Sequence, residues 1–89
     1  MKFCDLDFHP HGSFPDGIAA RYFFPNGYGV SVVQFPGSYG YEEGLYEVAV
    51  LKGLEENWEI FYDNHITDDV IGYQTVDNID NLLSQVESL

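Results

Sequence analysis

The densest set of potential ligands lies near the start of the chain, where Cys4, Asp5, Asp7, His9 and His11 follow one another at short spacings. Imidazole and carboxylate together suit Zn, Mn or Fe. On an extended strand Asp5, Asp7 and His9 fall on one side, but same-side neighbours there lie about 6.5–7 Å apart, too far for all three to share an ion easily. Pro10 is placed to bend the chain so that His9 and His11 converge, which leaves Asp7, His9 and His11 as a weak metal-ligand set. The competing reading is a polar face on an edge strand, where charge guards against aggregation.

Other chemistry finds less support. Ser13, Ser31, Ser38, Ser84 and Ser88 all lack a G-x-S-x-G context, and three histidines leave little room for a buried catalytic site with supporting groups. Paired carboxylates carry no specificity in a chain with fifteen acids. Gly37, Gly40 and Gly44 lie among Tyr and Glu, where negative charge opposes a phosphate, so their expected role is turn formation. The expectation is a protein that is not an enzyme and needs no cofactor.

Recognition is the more productive theme. Tyr28, Tyr39, Tyr41 and Tyr46 flank two turns and lie near Glu42, Glu43 and Glu47. A ring supplies contact area and a carboxylate selects basic partners. Further acids fall in groups: Glu55, Glu56 and Glu59; Asp63, Asp68 and Asp69; Asp77 and Asp80. The expected partner-binding residues are Tyr39, Tyr41, Glu42, Glu43, Glu47, Glu55, Glu56 and Glu59. The plainer alternative has the rings covering an open sheet face and the acids solvating the surface.

Three basic residues face fifteen acidic ones, for a net charge of −12 with His neutral. Such a chain is repelled by nucleic acid and anionic membranes, and its complementary partners are basic surfaces or cations. Eighty-nine residues make a single domain, 45% of them hydrophobic and 17% aromatic, so a packed core is within reach. Cys4 is the only cysteine, which fits a reducing compartment. The N-terminus has no long apolar run, and no stretch approaches the ~20 residues of a membrane span. A cytoplasmic protein is expected.

The elements that must position these residues begin with an alternating Lys2–His9 strand, which places Cys4, Leu6 and Phe8 on one face, and a turn at Pro10–Gly17. The strongest local signal is Ile18–Gln34, two apolar runs around Pro25-Asn26-Gly27, read as a hairpin with positive φ at both Asn26 and Gly27. A loop at 35–44, a strand at Leu45–Leu51, a turn at Lys52–Asn57 and a strand at Trp58–Tyr62 follow. Thr67 is set to cap a short helix ending near Gly72. Thr75 is set to cap an amphipathic helix with an apolar stripe of Val76, Ile79, Leu82, Leu83, Val86 and Leu89. The pattern predicts an α+β domain. Residues 1–17 give a strand and turn and 18–62 an antiparallel sheet; 66–89 are largely helical. In all, four to five strands carry a C-terminal helix on one face.

The order FPNGYGVSVV, GSYGYEEGLYEVAVL, WEIFYD and ITDDVIGY, followed by an amphipathic helix, resembles a group of small acidic proteins encoded in bacteriophage genomes. The resemblance covers roughly residues 20–89 and implies a phage origin without an inherited enzymatic activity. With the charge, it leads to the expectation of an interaction protein that binds a host protein and inhibits or modulates it. Occupation of a basic, nucleic-acid-binding surface by carboxylates standing in for phosphates, in an anti-defence or host-takeover role, is one form of that expectation. The alternative is a structural module that forms a homo-oligomer, and a metal-dependent protein centred on Asp7, His9 and His11 is a third.

Overall fold

The computed structural model describes residues 1–61 and 70–89. At its centre two strands rich in β-branched residues, β3 (Tyr28–Gln34) and β4 (Tyr46–Leu54), pair antiparallel. β2 (Ile18–Phe23) pairs the other edge of β3, and the two-residue β1 (His9–Pro10) pairs β2. Two short strands, β5 (Asn57–Ile60) and β6 (Ile71–Gln74), run one after the other along the same edge of β4. The result is a six-stranded antiparallel sheet. An α-helix, α1 (Val76–Glu87), covers one face of it, as an α+β reading requires. No helix among the described residues is long and apolar enough to cross a membrane.

Register decides which side chains the helix meets. Val32 stands between Ala20 and Val48, and Val30 between Tyr22 and Val50. Ala20 and the four valines therefore point to one side, where Ile79, Leu82, Leu83 and Val86 of α1 close over them. Val30, Val32, Ile79, Leu83 and Val86 are fully buried, and each such residue stabilises the fold by roughly 1.5–3 kcal/mol. The other side of the sheet carries a smaller apolar group: Ala49 and Leu51, both buried, line a space with Trp58, Ile60 and Val70. That is why β3 and β4 read as apolar on both faces.

Thr75 caps α1 as expected. Its hydroxyl accepts from the Asn78 N–H at 3.1 Å and the Asn78 side chain accepts from the Thr75 N–H at 3.1 Å. At the other end of the helix the cap comes from the hairpin. The Asn26 amide nitrogen lies 3.0, 3.2 and 3.3 Å from the carbonyl oxygens of Val86, Glu87 and Leu89. Its Oδ1 accepts from the Tyr28 N–H at 3.1 Å. One side chain thus donates to carbonyls at the helix C-terminal end and fixes the turn that presents it.

The hairpin turn differs from the two-residue form expected. Gly27 has φ +87°, but Asn26 does not have positive φ. Phe24 bonds Tyr28 across the neck, and the Gly27 N–H reaches the Phe24 carbonyl at 3.3 Å. Pro25, with φ locked near −65°, favours a three-residue loop in which only the last residue is left-handed.

Three other expectations are corrected. Lys2–His9 is not a strand: Phe3–Asp5 form a 3-10 turn, and only His9–Pro10 pair with the sheet. The Asp5 carboxylate accepts from the Lys2 N–H at 2.9 Å, and the Phe3 N–H donates to Asp80 of α1 at 2.7 Å. These bonds pull the segment onto the helix and leave Cys4 exposed, while Leu6 is buried. β4 continues to Leu54, past the expected turn at Lys52, because Lys52, Gly53 and Leu54 pair with Glu59, Trp58 and Asn57. Residues 71–74 form a strand, so the expected helix over 67–72 is contradicted where it can be compared, and among the described residues of the 66–89 region the helix begins at Val76. The rest of that expected helix, with Asp63, Asp68 and Asp69, lies outside the described residues.

Asn26→Ala removes both sets of bonds and is expected to lower the unfolding free energy by about 1–2 kcal/mol. Asn26→Asp is expected to recover little of this, since it places a negative charge at a helix C-terminus and removes the donors. Urea unfolding of the three proteins checks this; an Asp variant as stable as the parent would refute the clamp.

Candidate functional site

The connection from β3 to β4 is an ordered loop. Its anchor is Ser38, buried, whose hydroxyl donates to the Phe35 carbonyl at 2.8 Å and accepts from the Phe35 N–H at 3.1 Å. Gly40 and Gly44, with φ of +92° and +74°, bracket a 3-10 turn at Tyr41–Glu43. The Leu45 N–H returns to the Gly40 carbonyl at 2.9 Å. Pro, Ser and Gly at these places are turn-formers, as the spacing suggested.

β6 brings in the residue that sequence reasoning missed. Tyr46 pairs with Gln74 and Val48 with Ile71, so two steps along β4 oppose three along β6. The extra residue makes a bulge, a device that redirects a side chain. Tyr73 sits there at φ +57°, the only left-handed residue other than glycine among the described residues. Its N–H donates to the Tyr39 carbonyl at 3.2 Å. The loop and the strand meet backbone to backbone: a Cβ on Gly72 would collide with the Tyr39 Cβ, and one on Gly40 would press on the Tyr73 Cα at 3.0 Å. Glycine at both places is what lets the two segments interlock.

The consequence is an exposed aromatic pair. The Tyr39 and Tyr73 rings stack with centroids 6.3 Å apart and planes 29° from parallel. They are 67% and 58% exposed, among the most solvent-accessible large side chains described. Together with Tyr41, Glu42 and Glu43 they line an open cavity of about 400 Å³.

Of the expected partner-binding residues, Tyr39, Tyr41, Glu42 and Glu43 thus come together. Glu47 supports them from β4, its carboxylate accepting from the Tyr39 N–H at 3.1 Å. Glu55 and Glu56 are elsewhere, in the turn between β4 and β5, about 30 Å from Tyr46 along the strand. Glu59 lies near that end, opposite Lys52. Tyr28 and Tyr46, grouped with the loop tyrosines in the sequence, are instead half-buried core residues. Tyr28 stacks on Phe61 at 5.6 Å, and Tyr46 meets the edge of Phe3 at 5.1 Å.

A second cleft, of about 600 Å³, lies between β1 and the sheet face opposite the helix. Asp7, His9 and His11 line it with Arg21, whose guanidinium stands 5.0 Å over the Trp58 ring. His9 and Asp7 form an exposed pair at 3.2 Å. His11 is directed elsewhere: its Nδ1 accepts from the Ser13 N–H at 3.0 Å, and its ring packs against Phe14 and Phe35 at 5.2 and 5.0 Å. Among the described residues no three His, Cys, Asp or Glu side chains are placed to hold one ion. This cleft mixes both signs of charge and favours neither.

Comparison with protein families, with curated proteins and with solved structures finds no match.

Strain at Tyr73 has a measurable signature. A left-handed tyrosine costs of order 1 kcal/mol, and asparagine tolerates that region well. Tyr73→Asn is therefore expected to leave the thermal midpoint unchanged or raise it, despite the loss of a large ring. A fall of more than about 5 °C, roughly 1 kcal/mol for a domain of this size, would show that the ring is there for stability.

Proposed function

We propose that this protein is a small phage-type interaction protein, without catalysis of its own, that binds a basic surface on a host protein in the cytoplasm and inhibits or modulates it. The observation that carries this reading is the stacked, exposed Tyr39–Tyr73 pair with Glu42 and Glu43 beside it. A monomer gains little from holding two rings in solvent, one of them on a strained backbone, whereas an interface uses such rings as anchors. The charge of −12 points to a basic partner. The resemblance to phage-encoded acidic proteins supports a host target.

The arrangement favours local docking over imitation of a long phosphate array. Duplex DNA carries a charge every ~1.7 Å of axis, whereas Glu42 and Glu43 are separated from Glu55 and Glu56 by most of the length of β4.

The test is retention of host proteins on the immobilised chain at ~0.05 M and ~0.5 M salt, exposed charges being screened within about 4–5 Å at the higher value. A specific host protein should be held at low salt, lost at high salt, and lost at low salt when Glu42 and Glu43 are both changed to Gln. The pair Glu55→Gln and Glu56→Gln should retain it. Retention unaffected by salt, or equal loss with both pairs, would remove the reading.

A further inference from the structure

The cavity beneath the tyrosine pair is specific enough in its chemistry to name what enters it. We infer that it receives one guanidinium group, the side chain of an arginine displayed by a protein partner, an inference that rests on the interaction reading above. Its walls are the rings of Tyr39, Tyr41 and Tyr73, and the charges beside them are the carboxylates of Glu42 and Glu43. Ring faces carry negative quadrupole density and attract a cation held against them. Among the described residues no Lys or Arg lines this cavity: Arg21 lies over Trp58 and Lys52 over Phe61, while Lys2 flanks the N-terminal 3-10 turn. The charged side chains described at this cavity, Glu42 and Glu43, are both acidic, which disfavours an anion there.

Shape selects the kind of cation. Two rings 6.3 Å apart and 29° from parallel form a slot. A planar guanidinium stacks on a ring face at about 3.5 Å, and both rings are more than half exposed. A guanidinium is planar and weakly hydrated, and its five N–H donors leave the slot in a fork that suits two carboxylates at the rim. A lysine ammonium is a compact, strongly hydrated point charge and uses the slot poorly.

The experiment is amide and aromatic NMR of the full chain, titrated at ~0.15 M salt with blocked Gly-Arg-Gly, Gly-Lys-Gly and Gly-citrulline-Gly peptides. Citrulline keeps the planar shape without the charge. The arginine peptide should give saturable shifts at Tyr39, Tyr41, Glu42, Glu43 and Tyr73, with a dissociation constant in the millimolar range. The lysine peptide should bind at least about threefold more weakly and the citrulline peptide at least about tenfold more weakly. Tyr39→Ala, which keeps the Cβ packed on Gly72, should abolish the local shifts while the α1 resonances stay in place. Shifts centred on Glu55–Glu59, equal binding of lysine and arginine peptides, or a response that survives Tyr39→Ala would each overturn the assignment. None of these outcomes bears on whether the salt-sensitive host complex forms, so the pocket and the wider interaction reading fail separately.

Discussion

Everything in this fold depends on one contact layer, the burial of the α1 stripe of Ile79, Leu82, Leu83 and Val86 against Val30, Val32, Val48 and Val50. A chain of 89 residues without a disulfide has one core to rely on, and this layer is most of it. Because it fills a single face, the helix must be held in place at both ends. The Thr75–Asn78 capping box does so at the start and the Asn26 amide at the finish. The N-terminal segment adds a tie in the middle, through Phe3 to Asp80. Two segments far apart in the chain, the N-terminal turn and the Asn26 hairpin, therefore converge by hydrogen bonds on one helix whose start is capped locally.

What could be read from the chain follows from how local each cause was. The β2–β3 hairpin, β4 and the helix were legible because alternation of period two and spacing of three and four are statements about neighbours. Val30 and Val32 pair where the alternation put them, and Thr75 caps where its position before Val76 predicts. The N-terminal segment misleads for the opposite reason. Its alternation is as clean as any in the chain, but the bond from Phe3 to Asp80 spans 77 residues, and no local pattern contains it. Pro25 is intermediate: the turn's place was plain, while its type hinged on a φ restriction that outweighed the Asn-Gly signal.

The candidate site was legible in part for the same reason. Tyr39, Tyr41, Glu42 and Glu43 occupy one glycine-bounded loop, so their proximity is a property of the sequence. Glu55 and Glu56 look equivalent in composition and are placed elsewhere by the length of β4. Tyr73 could not be paired with Tyr39 from the sequence, because its direction comes from a bulge that exists only when β6 lies against β4. The surrounding signal, Gly72 before a tyrosine, carries meaning only once Tyr39 is known to press on Gly72.

That geometry also separates the stabilising face from the exposed aromatic pair. The helix and its layer occupy one face of the sheet, and the tyrosine pair sits at its end, on a loop and a strand terminus joined by a single backbone bond between Tyr39 and Tyr73. Exposed rings and carboxylates there add little to the core. Strain is tolerated at Tyr73 because Gly40, Gly72 and the β6 pairing with β4 fix the backbone on both sides of it. Rings held on a constrained backbone have less conformational entropy to lose than those on a flexible loop of the same composition. The cost of ordering the rings is met during folding, by backbone contacts that involve no partner.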